Sequence, residues 1–87
     1  MSQPNKQSRE YQDSLWLIWP RFEDWPEVLD LYDSAAYLRA SYSYVRDKCQ
    51  VDRDGRAALP HKRLGKMYRI RKVDLDHFGQ VHGRDAA

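Results

Sequence analysis

Eighty-seven residues suffice for one small domain with tails, and a domain of that size buries only a modest core. A single cysteine, Cys49, excludes an internal disulfide. No apolar run approaches the roughly 18 residues of a membrane span, and the polar residues 1–13 lack the apolar stretch of a signal peptide, so the expectation is a soluble, cytoplasmic chain without a membrane partner. The net charge of +2 hides an asymmetry: residues 1–34 sum to −4, residues 35–78 to +6, and residues 79–87 to zero. The second half therefore suits a polyanionic partner.

Residues 1–14 are rich in Gln, Ser and charge without periodicity, which predicts a disordered arm. Residues 15–30 form a Trp-rich extension holding Trp16, Trp19 and Trp25 together with Leu15, Leu17, Ile18, Phe22, Val28 and Leu29. Pro20 and Pro26 interrupt it, which predicts two short helical pieces, near 15–19 and 26–31. Its tryptophans either complete a small core or anchor a protein partner, and the first is the better fit.

From residue 31 the pattern changes. Asp33 is a candidate N-cap for a short helix through Leu38, with Ala35 and Leu38 facing inward. Arg39-Ala40 forms a turn, and Ser41 caps a second helix running to Cys49, whose inner face carries Val45 and Cys49. Asp54-Gly55 marks a loop. Strands are predicted around 61–64 and 67–70, joined at Gly65-Lys66, with Tyr68 and Ile70 alternating against Arg69 and Arg71. Six of the twelve residues His61–Lys72 are Lys or Arg, and none is acidic. A last helix near 72–78 buries Leu75 and Phe78, and residues 79–87 read as a flexible tail.

The ordered set from Leu31 to Phe78 resembles the excisionase-type winged helix-turn-helix, a relative of the MerR DNA-binding domain. The features that carry the resemblance are Ala35 and Leu38, Ser41 and Val45, Leu59-Pro60 before a basic strand, Gly65 in the hairpin, Tyr68-Arg69-Ile70, and Asp74-Leu75 followed by Phe78. The chain departs from the family at Arg39, where Gly is common, at Lys48 and Lys62, where apolar residues are usual, and in a longer connection from Cys49 to Pro60. The resemblance implies an α+β fold over 31–78, a small winged helix-turn-helix with a two-stranded wing. It also implies a non-enzymatic, double-stranded-DNA-binding function, that of a recombination directionality factor which binds and bends an attachment site and steers an integrase toward excision. A small transcriptional regulator on the same fold is the alternative, and a protein-interaction module working through the Trp-rich segment is a third.

On such a fold, the N-terminal part of the recognition helix reaches base edges in the major groove. The side chains available there are Ser41, Tyr42, Ser43, Tyr44 and Arg46, and Arg46 can bond guanine O6 and N7 together. The wing supplies Lys62, Arg63, Lys66, Arg69 and Arg71 for phosphate contacts that position the domain. An acidic first half and a basic second half also suit head-to-tail self-association on DNA. Enzyme chemistry finds little support. His61, His77 and His82 lack helical ligand spacing, Cys49 lacks a Cys partner, and neither a phosphate-binding Gly-rich loop nor a Gly-x-Ser-x-Gly turn occurs, so no metal, cofactor or catalytic residue is expected.

Overall fold

A computed structural model describes residues 5–82 of the chain, with side chains described through residue 80. Helix α1 spans Arg9–Ile18. Ser8 caps it, its hydroxyl accepting the Tyr11 N–H at 3.2 Å. Leu15 is buried, and Tyr11, Trp16 and Trp19 pack against the core beside it. That stripe needs only one apolar face, so the polar residues around it are the solvent side of a helix. The helix begins inside the segment expected to be a disordered arm, which corrects that expectation for Arg9 to Ser14; residues 1–4 lie outside the described residues. Pro20 ends it by restricting the residue before it.

A single 3-10 turn at Phe22–Asp24 leads into strand β1, Val28–Leu29. The helix expected over 26–31 does not form. Val28 and Leu29 instead pair antiparallel with Arg71 and Ile70, a long-range partnership that local spacing cannot report. Helix α2, Leu31–Leu38, is capped by Asp30 rather than by Asp33. The Asp30 carboxylate accepts the Asp33 N–H at 2.8 Å, and the Asp33 carboxylate accepts the Tyr11 hydroxyl at 2.7 Å, tying α1 to α2. Desolvation by burial holds the Asp33 carboxyl above the usual carboxylate range despite that bond.

Helix α2 ends in a Schellman motif. The Ala40 N–H reaches the Ala35 carbonyl at 3.0 Å, and the Arg39 N–H reaches that of Ala36 at 3.1 Å. Helix α3, Tyr42–Lys48, follows at once, with the Ser41 hydroxyl accepting the Tyr44 N–H at 3.1 Å. Val45 and Cys49 are buried as expected from their spacing. The loop after Cys49 folds on itself at Asp52, whose carboxylate accepts the N–H groups of Asp54 and Arg56. It returns to the core through buried Leu59, whose N–H bonds the Lys48 carbonyl at 3.0 Å.

Strands β2, Lys62–Leu64, and β3, Met67–Arg71, form an antiparallel hairpin, and β1 lies on the other side of β3. Gly65 opens the two-residue turn with a φ of 63°, a conformation glycine adopts without a Cβ penalty. Helix α4, Lys72–His82, buries Leu75 and Phe78 and runs past residue 78 into the expected tail; residues 83–87 lie outside the described residues. Among the described residues the fold is thus a small α+β domain of four α-helices and a three-stranded antiparallel sheet.

Candidate nucleic-acid interface

Tyr42 and Arg46 stand one turn apart on α3, Tyr42 half-buried against the core beside Val45 and Cys49 and Arg46 exposed. Across an open groove of about 460 Å³ they meet Arg63, Lys66 and Tyr68 of the hairpin. Tyr32, from the first turn of α2, stacks on Tyr42 with ring centroids 4.7 Å apart and planes at 17°. Desolvation and the neighbouring Tyr32 push the Tyr42 phenol above its ordinary range, so at neutral pH it is a hydroxyl donor. Arg63 is held rather than free to swing: its guanidinium lies 5.0 Å over the Tyr68 ring, and its Nε donates to the Gly65 carbonyl at 3.0 Å. The groove thus carries the rings of Tyr32, Tyr42 and Tyr68, with Arg46 supplying a cation from the helix side, Arg63 and Lys66 from the hairpin side, and Asp30 at its margin.

The remaining candidates are distributed differently. Cross-strand pairing places Lys62 opposite Arg69 and Arg63 opposite Tyr68, so the alternation of strands turns Lys62, Arg69 and Arg71 to the other sheet face. There they line a separate depression of about 470 Å³ with Val28, Pro60 and His61. Arg71 is also bound to Asp74 by hydrogen bonds of 2.9 and 3.3 Å, which offsets its charge. Ser41 spends its hydroxyl on the helix cap. Ser43 is exposed on α3. Tyr44 packs edge-on against Phe78 at 6.3 Å, with the Lys48 ammonium 5.2 Å over its ring, and faces away from the groove.

Tyr32 and Tyr68 are groove residues that the sequence did not single out as contacts. Tyr68 had a usable signal, its place beside Arg63 in a basic hairpin, whereas Tyr32 reaches Tyr42 only through the packing of two helices.

The Trp-rich extension serves the monomer's own core. Trp25 is 2% exposed and donates its indole N–H to the Trp19 carbonyl at 2.8 Å. Trp16 donates to the Ala36 carbonyl at 2.8 Å, and Gln12 donates through its side-chain amide to the Ala40 carbonyl at 2.9 Å. The first bond lands on the last turn of α2 and the second on the turn that leads into α3, so α1 braces the start of the helix that presents Tyr42 and Arg46.

Burial pushes the Cys49 thiol up to about 11, leaving it a protonated, packed side chain rather than a nucleophile. Among the described residues there is no group of three or more His, Cys, Asp or Glu placed to hold a metal ion, and no helix long and apolar enough to cross a membrane. The chain matches no protein-family model, no curated protein and no solved structure.

Proposed function

We propose that this chain is a sequence-reading, double-stranded-DNA-binding protein of the winged helix-turn-helix class. In this reading α3 is the recognition helix and the β2–β3 hairpin is the wing. The observation that carries it is the groove in which Tyr42 and Arg46 of α3 face Arg63 and Lys66 of the hairpin. A guanidinium on an exposed helix face can bond two acceptors of one guanine, while cations across the groove grip the flanking phosphates. The protein works by binding rather than by catalysis. The excisionase-type resemblance supports a narrower role, that of a recombination directionality factor which holds an attachment site for an integrase. Copies on adjacent sites would meet acidic half to basic half; because the tryptophans are engaged within each monomer, such a contact rests on charge.

The test is selection of binding sites from a random-sequence duplex pool, followed by footprinting and a salt titration. Specific binding should weaken steeply with salt, and Arg46→Ala should cost roughly 1–3 kcal/mol of discrimination at one base pair. Recovery of attachment-site sequences supports the directionality role, and recovery of promoter operators supports a transcriptional regulator. Absence of salt-dependent duplex binding overturns the proposal.

A further inference from the structure

Leu64 and Met67 pair directly across the hairpin turn and are 59% and 60% exposed. They add nothing to the core, and the tip of a two-residue turn ordinarily carries polar side chains. The residues around them are cations: Lys66 lies in the turn itself, and Lys62 and Arg69 pair on the same strand face two positions back. An apolar point inside a basic collar matches a ligand with phosphates on its outside and stacked, weakly polar rings within. Lys66 and Met67 also border the groove occupied by Tyr42 and Arg46, so the tip and α3 address neighbouring stretches of one ligand.

We propose that Leu64 and Met67 form a wedge that enters the minor groove beside the segment held by α3 and partly unstacks one base step there. The inference rests on the DNA-binding reading above. Leu and Met are among the side chains that proteins insert between base steps from the minor groove. Unstacking costs least at the flexible pyrimidine–purine steps TA and CA/TG. The wedge therefore reads deformability: it selects duplexes with such a step at the hairpin's position, while Arg46 reads a base edge elsewhere. Lys66, in the turn itself, holds the backbone beside the step as it opens, with Lys62 and Arg69 adding weaker attraction from behind the tip.

The experiment uses the full chain and the tightest duplex recovered from the random pool, with 2-aminopurine substituted in turn at each adenine of the footprint. The expected result is a severalfold fluorescence rise at one pyrimidine–purine step under the hairpin. The double variant Leu64→Ser, Met67→Ser should lose that rise and bind this duplex about tenfold more weakly, while its salt slope stays unchanged. Its affinity for a duplex carrying AA in place of the step should match that of the parent. Duplex binding by the parent without any fluorescence rise overturns the wedge and leaves the DNA-binding reading intact, a result that needs no variant to fold. A rise that persists in the double variant also overturns it. Failure of the parent to bind any duplex removes both readings. Binding of the parent to vesicles of anionic phospholipid, lost in the variant and accompanied by no change at any base step, assigns the tip to lipid instead and overturns the wedge.

Discussion

The guanidinium of Arg39 lies 4.7 Å above the ring of Trp16, and Arg39 is the residue that closes α2 in the left-handed conformation, at φ 54° and ψ 40°. A side chain there costs about 1 kcal/mol relative to glycine, and a cation–π contact by an exposed guanidinium returns roughly 0.5–1 kcal/mol. Arg39→Gly should therefore leave stability within about 0.5 kcal/mol of the parent, because relief of strain offsets the lost stacking. Arg39→Ala keeps the strain and loses the contact, so it should cost about 1 kcal/mol. Urea unfolding midpoints at unchanged m-value decide the matter. A glycine variant more stable than the parent by over about 1 kcal/mol would show that the stacking contributes nothing.

The split of basic residues between two sheet faces predicts an order of effects on DNA affinity. Arg63→Ala and Lys66→Ala should each flatten the slope of log K against log salt by about 0.9, the loss of one phosphate contact. Arg71→Ala should leave the slope unchanged, because Asp74 already holds that guanidinium. Arg69, on the face away from α3, should change it less than Arg63 does. Equal slopes for Arg63→Ala and Arg71→Ala would show that the groove between α3 and the hairpin is not where phosphates lie.

Trp16 links α1 to the last turn of α2, and its ring lies 4.8 Å from the Trp25 ring, centroid to centroid, with the planes tilted at 57°. Trp16→Ala should cost about 3 kcal/mol in thermal or urea unfolding, the scale for truncating a large packed aromatic. Leu17, at 84% exposed, provides the control on the same helix, and Leu17→Ser should stay within about 0.5 kcal/mol of the parent. A Trp16 variant as stable as the parent would return α1 to the role of a partner-binding segment.

Cys49 gives the stability a specific pH dependence. With its thiol pushed up to about 11 by burial, the folded state keeps a proton that the unfolded chain releases near its ordinary value of 9.0. The native state then binds more protons than the unfolded one between these values, so stability is fully present below pH 9 and falls as pH rises toward 11. The loss from this group is about 3 kcal/mol. The raised Tyr42 acts in the same direction, so Cys49→Ala should flatten the alkaline decline without abolishing it. An identical pH profile for parent and variant, measured by chemical unfolding at each pH, would exclude the thiol as its source.

Much of the region after residue 40 is written in short-range chemistry. Ser41 caps α3, Val45 and Cys49 turn inward four residues apart, Gly65 opens the hairpin, and Leu75 and Phe78 enter the core three residues apart. Each rule acts over one or two turns, so a local pattern suffices. Before residue 40 the decisive partners are distant. Asp30 and Asp33 are both competent caps, and the choice falls on Asp30 because Tyr11 engages Asp33. Nothing in Val28-Leu29 alone announces a strand, since its partner is β3. At the candidate site, alternation correctly separates Arg69 and Arg71 from Tyr68 and Ile70. It does not say which face looks toward α3, and that choice moves Arg63 into the groove and Arg69 out of it.

The pairing of Val28 with Arg71 has a kinetic consequence. These residues lie nearly half the chain apart. Bringing such distant segments together carries a loop-closure entropy that neighbouring helices and a two-residue hairpin avoid. The contacts among the three N-terminal helices and within the hairpin close at a lower entropic cost, so the seam between β1 and β3 is expected to close last. Residues along that seam, Leu29 and Ile70 among them, should retard unfolding far more than they accelerate folding. A chain arrested before this seam closes would still hold a formed α3, but the hairpin would not yet be locked beside it.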